Sequence, residues 1–243
     1  KERYYDMKFH TCILAGLGGV GSLLAEPLAR LLLYHDRGTE DIRLADGDEY
    51  SKANSTRQRV NSEQFGKNKA LATAENIPFP QIQAYPIYLT PETIHGFLDD
   101  AIPPVLFICA VDRDASRALT LQELDNRFSD YAWVSPGNDY DTAQVTLHLK
   151  QNNYAYTTWP LDLYANLRNP VDGHPGDCGE EQTSSPQLIT ANQMASCVAL
   201  MYVTNLLDDR PLREEVLCDT NSLWFKPGGR YVQRTEESVS RST

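Results

Sequence analysis

The sequence predicts an α/β fold, a mostly parallel sheet with helices on both faces that C-terminal antiparallel strands extend. Three observations carry that expectation. Short apolar runs alternate with longer segments of helical spacing over the first 130 or so residues. The first run, Cys12-Ile13-Leu14-Ala15, leads directly into Gly16-Leu17-Gly18-Gly19-Val20-Gly21-Ser22 and then into a helical stretch ending near Tyr34. Beyond residue 135 the pattern changes to an alternating strand, a long helix and two short strands.

Taken in order, the first strand covers about residues 10–16 and the first helix 22–35. Between them Gly16 makes the tight turn, Gly18 lets backbone N–H groups approach a ligand, and Gly21 lets helix and strand pack closely. Leu23, Leu24, Leu28, Leu31 and Leu32 have helical spacing, while Pro27 inside the same helix removes one backbone bond and is expected to kink it. Further strands are expected at about 41–46, 81–88 and 104–111, and helices at about 67–77, 91–100 and 113–127. Ser135-Pro136-Gly137-Asn138 reads as a turn, and Ala143 to Lys150 as a strand of alternating character. A polar stretch over about 166–187 reads as a long loop. The helix expected at 188–207 turns Met194, Cys197, Val198, Met201 and Tyr202 toward the core. Strands near 214–218 and 222–226 close the sheet, and the tail 236–243 reads as disordered, leaving one domain over residues 1–235 and no internal repeat.

Composition narrows the function. The 243 residues are enough for a full core, and 41% hydrophobic content is that of a soluble protein. No apolar run is long enough to cross a bilayer and no signal-peptide pattern opens the chain, so a cytoplasmic location is expected. The net charge of −11 speaks against nucleic-acid or anionic-membrane binding, which needs basic surface. Five cysteines (Cys12, Cys109, Cys178, Cys197 and Cys218) include no Cys-x-x-Cys pair, against a disulfide framework or a four-cysteine zinc site. Cys12, Cys109 and Cys197 read as packing residues.

A glycine loop between a strand and a helix N-terminus is a phosphate site, because unpaired N–H donors and the positive end of the helix dipole face the anion. Asp46 and Asp48 stand at the end of the second strand, about 25 residues further on, where an acid reaches ribose hydroxyls. To this point the pattern fits an NAD(P)-dependent oxidoreductase. Asn54-Ser55-Thr56-Arg57-Gln58-Arg59 and then Lys69 add cations that suit a triphosphate better than a dinucleotide's pyrophosphate. Asp112, at the end of the strand over Val105 to Ala110, is placed to hold Mg²⁺. Taken singly, Arg57 also fits a surface salt bridge, Lys69 a solvated helix residue and Asp112 a helix N-cap. Their order and spacing together favour the site.

These same motifs resemble the ThiF/MoeB/E1 superfamily over roughly residues 8–135: Gly16-x-Gly-Gly-x-Gly21, the two aspartates, Asn54, Arg57, Gln58, Lys69 and Asp112. Ala53, Ser55 and Thr56 depart from the family's usual Ser, Leu and Asn. The resemblance implies ATP-dependent adenylation of the C-terminal glycine of a ubiquitin-like or sulfur-carrier protein. It places Gly16, Gly18, Gly19, Gly21, Asp46, Asp48, Asn54, Arg57, Gln58 and Lys69 around ATP, with Asp112 on Mg²⁺. A homodimer is implied, with an N-terminal arginine reaching the neighbour's ATP, either Arg3 or a residue upstream of it, a flexible surface arginine being the commoner explanation of Arg3. A downstream E2-like or sulfur-transfer acceptor is implied too. The structural zinc of many relatives is not expected without their paired cysteines. Cys178, beside Pro175-Gly176-Asp177 in the polar stretch, is the candidate thioester-forming nucleophile, with His174 the nearby base. Asp177, Glu180 and Glu181 disfavour its thiolate, and an incidental exposed thiol is the alternative. A non-catalytic scaffold of the same fold is a further alternative, disfavoured by the retention of Arg57, Lys69 and Asp112.

Overall fold

The computed structural model describes residue 5 and residues 7–170 and 188–232. Cys178, His174, Arg3 and the expected tail at 236–243 lie outside the described residues. The five-residue strands β1 (Thr11–Ala15) and β4 (Val105–Cys109) are buried at every position, as they must be when helices cover both sides of a sheet. Their alternation divides the core in two. Cys12, Leu14, Leu106 and Ile108 pack under helices α1 (Gly21–Tyr34) and α7 (Ile189–Leu207). Ile13, Val105 and Phe107 face α3 (Ile94–Leu98) and α4 (Asp114–Arg127) on the other side.

Strands β2 (Asp41–Ala45), β3 (Ile82–Tyr85) and β5 (Tyr131–Asn138) join these two in the order β3-β2-β1-β4-β5, all parallel. The chain then turns back. Strands β6 (Thr142–Gln151), β8 (Leu212–Asp219) and β9 (Trp224–Val232) continue the sheet antiparallel, with the short β7 (Tyr154–Ala155) paired to β6. The expected α/β architecture is therefore observed, as are the antiparallel C-terminal strands. Strand order reverses between β1 and β4, which opens a crevice at their carboxyl ends, the usual ligand position in such sheets.

Several details depart from the sequence expectation, the first concerning β5, which is not among the expected strands. Ser135 to Asn138 is not a turn but the last half of β5, paired with Thr146 to Ala143 of β6. Pro136 is tolerated there because pairing with β4 ends at Val134, so β5 has a neighbour on one side only. Second, Cys197 and Met201 of α7 face outward, Met201 being 60% exposed. The buried face carries Ala191, Ala195 and Ala199, whose small side chains let the helix lie close to α1 and the sheet, together with Val198 and Tyr202. Third, after the short helix α5 (Pro160–Leu163), helix α6 (Ala165–Arg168) reaches into the stretch expected to be loop. Helix α1 runs on through Pro27, and α2 (Lys69–Glu75) is shorter than expected. Among the described residues no helix is long and apolar enough to cross a membrane.

Candidate nucleotide-binding site

The glycine loop sits at the reversal point between β1 and β4. Gly16 has φ +86°, and a Cβ there would lie 2.7 Å from the backbone of Ala110 and Val111, at the end of β4. The same contact brings the segment carrying Asp112 against the loop. A Cβ on Gly21 would meet the Gly16 carbonyl at 1.8 Å, so this glycine is fixed by packing between strand and helix. Gly18 is different. Only Gln58 Nε2, at 3.8 Å, comes near its Cβ position, so space is left beside the loop where a phosphate would lie.

Asp46 ties the loop to β2. Its two oxygens accept from the backbone N–H of Leu17 (2.6 Å) and of Asp48 (2.8 Å). Burial pushes its carboxyl above the ordinary range, against the pull of Lys69 and of those two N–H groups. Each oxygen keeps a lone pair for a hydroxyl.

The expected cations are both present, in different states. Lys69 opens α2, whose N-cap Asn68 accepts from Ala70 N and Leu71 N while its Nδ2 donates to the Asp46 and Asp48 carbonyls. That anchoring holds the helix start against the end of β2. Lys69, 8% exposed, pairs with the Asp48 carboxylate at 2.9 Å. Burial alone would raise Asp48, but Lys69, the Tyr88 hydroxyl and Arg113 together hold its carboxyl below the usual value. The Arg57 guanidinium, by contrast, makes no hydrogen bond or ion pair among the described residues. Arg57 closes the 3-10 turn Lys52–Thr56, in which Asn54 Oδ1 accepts from Ser51 N (2.8 Å), leaving Asn54 Nδ2 available. Gln58 is buried, and its Oε1 has no partner among the described residues.

Asp112 is exposed and its carboxylate has no partner among the described residues. No cluster of three or more His, Cys, Asp or Glu able to hold a metal occurs among the described residues. A single free carboxylate fits Mg²⁺, which keeps most of its waters and takes its other ligands from substrate phosphates.

Two residues that sequence reasoning missed belong to this site. Tyr88, just past the C-terminal end of β3, lays its ring over Gly47, where a Cβ would be 2.4 Å away, and donates its hydroxyl to Asp48 at 2.5 Å. Asn192, from the first turn of α7, fills the space beside Gly19. A tyrosine after a strand carries no local signal of this role, whereas a buried-face Asn among the alanines of an apolar helix does.

A parallel sheet of order 3-2-1-4-5, with a glycine loop at its reversal point and acids, amides and cations on the neighbouring segments, is the arrangement of a nucleotide-binding α/β protein. The sequence model of the ThiF family matches residues 1–122, half of the chain, and the protein belongs to that family. Its fold is similar to that of solved structures at low identity. The crystal structure of E. coli MccB with ATP is 16% identical with a TM-score of 0.65, covering 95% of this chain and 66% of MccB. The microcin C7 biosynthetic enzyme MccB with N-formylated MccA is 15% identical with a TM-score of 0.66, covering 95% and 67%. PaaA is 14% identical with a TM-score of 0.62, covering 94% and 66%. The chain thus spans about two thirds of the length of these proteins. No curated protein sequence matches it.

Proposed function

We propose that this chain is an ATP-dependent adenylyltransferase that activates the C-terminal carboxylate of a small protein or peptide, a ubiquitin-like protein ending in glycine being the favoured substrate. The observation that carries this reading is that the Arg57 guanidinium, Asn54 Nδ2 and the Asp112 carboxylate have no partner among the described residues, while Gln58, next to Arg57, and Val111, next to Asp112, meet the glycine loop at Gly18 and Gly16. Membership of the ThiF family supports it, as does the likeness to MccB, solved with ATP and with N-formylated MccA. An NAD(P) oxidoreductase would account for the loop and Asp46 but leaves these groups without work.

In the proposed reaction the substrate carboxylate attacks the α-phosphorus in line. A new carbon–oxygen–phosphorus linkage forms, the bond to the β-phosphate oxygen breaks, and pyrophosphate leaves. The amides of the glycine loop cradle phosphate and Asp46 accepts from the ribose hydroxyls. Arg57, Asn54, Gln58 and Lys69 spread the charge that grows on the transferring group. Asp112 would hold Mg²⁺, which would neutralise phosphate charge when bound. The protein supplies orientation and fixed charge and no covalent chemistry in this step. We place the whole activity in a single cytoplasmic domain over residues 1–235, acting as a homodimer in which Arg3 is the candidate to complete the partner's ATP site.

Transfer from the adenylate to Cys178, and from there to an E2-like or sulfur acceptor, is the second half of the proposal. Cys178→Ala is expected to keep adenylation and lose any thiol-sensitive conjugate; survival of that conjugate in the variant contradicts the assignment. Adenylation itself is tested by pyrophosphate exchange into ATP. Exchange is expected with a ubiquitin-like protein ending in glycine and not with the same protein lacking that residue. Exchange that ignores the terminal glycine would contradict the substrate assignment.

A further inference from the structure

We propose that Asn192 is a positioning residue of the nucleotide site, holding Gly19 and Arg57 in the arrangement that receives a triphosphate. The inference rests on the ATP reading above and adds to it a residue from far along the chain.

Asn192 is 0% exposed, although its helix neighbours on the same face are alanines. Its carboxamide occupies the volume that a side chain on Gly19 would need. A Cβ there would lie 2.5 Å from Nδ2, 2.6 Å from Oδ1 and 2.7 Å from Cγ, and these are its three nearest atoms. The absence of a side chain at Gly19 therefore admits this amide. Asn192 Nδ2 donates to the Arg57 carbonyl at 3.4 Å, so the amide fixes the peptide that joins Arg57 to Gln58. One turn along α7, Ser196 donates to the Val20 carbonyl at 2.8 Å, at the N-cap of α1. The two polar groups of one helix face thereby pin α7 to both flanks of the phosphate loop.

Packing alone would be served by alanine, as at positions 191, 195 and 199. Asn192 instead buries an oxygen with no hydrogen-bond partner among the described residues, as does Gln58 beside Gly18. Buried polar atoms without a partner are few in native proteins, and each calls for an explanation. Here two of them flank the loop that meets the phosphates. The Arg57 N–H donates to the Asn54 carbonyl at 3.1 Å and its carbonyl accepts from Asn192, so the backbone is held from two sides while the guanidinium is unengaged among the described residues.

The test is calorimetric titration of ATP–Mg²⁺ into the full chain and into Asn192→Ala, Arg57→Ala and the double variant. Asn192→Ala is expected to weaken ATP about tenfold, and the double variant to bind little worse than Arg57→Ala, because residues acting through one another are not additive. Equal affinity in Asn192→Ala and wild type, or single effects that multiply in full, would overturn the positioning role. Thermal unfolding without nucleotide checks the fold. Asn192→Asp, of the same shape, carries the test should the alanine variant not fold: a carboxylate facing the Arg57 carbonyl is expected to weaken ATP at least tenfold, and unchanged binding would overturn the role. A wild-type chain that binds no ATP would overturn the functional reading and this one with it, whereas ATP binding that Arg57→Ala weakens and both Asn192 variants leave intact would overturn this one alone.

Discussion

Lys69 Nζ lies 2.9 Å from the Asp48 carboxylate, and the Tyr88 hydroxyl meets the other oxygen of that group at 2.5 Å. A bound triphosphate has to draw the ammonium from Asp48, and Tyr88 retains the carboxylate as it does so. Lys69→Met is expected to lower ATP affinity at least tenfold and pyrophosphate exchange about 100-fold, in line with the loss of one preorganised charge-stabilising group. Tyr88→Phe keeps the ring over Gly47 and removes one hydrogen bond at a half-exposed carboxylate, so a change of only about 2- to 5-fold is expected. Titration calorimetry and an exchange assay read both. A Lys69→Met enzyme with full exchange would remove lysine from the site.

The glycines of the loop separate into packing and binding positions. Gly21→Ala forces a methyl to within 1.8 Å of the Gly16 carbonyl and is expected to destabilise the fold by more than about 2 kcal/mol. Gly18→Ala meets nothing closer than 3.8 Å, so its unfolding midpoint should stay near wild type while ATP binding is lost. Denaturant titration and calorimetry on the pair make the comparison. A Gly18→Ala protein that binds ATP normally would place the phosphates elsewhere.

Asp112 is exposed and unpaired among the described residues, so Asp112→Ala should leave the unfolding temperature unchanged. Its expected effect is loss of Mg²⁺-dependent exchange, by a factor of about 100 or more. Exchange at the wild-type rate would refute the metal role.

Stability should fall in mild acid because of His148. The ring is 1% exposed, edge-on to Trp159 and tilted against Tyr131, with Nδ1 2.7 Å from Thr157 Oγ1. Burial first of all lowers its pKa from 6.5 to about 4. The unfolded chain therefore takes up a proton below pH 6.5 that the folded chain refuses until about pH 4. Stability attributable to this residue is complete above about pH 6.5 and is lost as the pH drops toward 4, by roughly 3 kcal/mol in all. Chemical denaturation at several pH values reads the slope, which His148→Gln should flatten. A wild-type slope in that variant would assign the acid sensitivity to other groups.

How far the molecule could be read in advance depended on how local each feature is. The β1–loop–α1 unit is contiguous, and Gly16, Gly21 and Asp46 occupy the places their spacing implies. Lys69 was legible as a cation at a helix start, but its pairing with Asp48 was not, since that contact depends on how β2 and α2 dock. Strand β5 was missed entirely: its apolar half, Tyr131 to Val134, is short, and at Ser135 to Asn138 turn chemistry is overridden by pairing with β6 on one side. On α7 the apolar residues surround the helix, so periodicity could not choose between the face of Met201 and the face of Ala195 and Ala199. Asn192 and Tyr88 reach the loop only through tertiary packing, over distances in sequence that no motif spans.

Titration of the purified chain with ATP–Mg²⁺ and, in parallel, with NAD⁺ and NADH tests the central claim most directly. Saturable binding of ATP, weakened at least tenfold in Arg57→Ala, with no heat from either dinucleotide, is the predicted result. Binding of NAD⁺ or NADH, or ATP binding indifferent to Arg57, would contradict it.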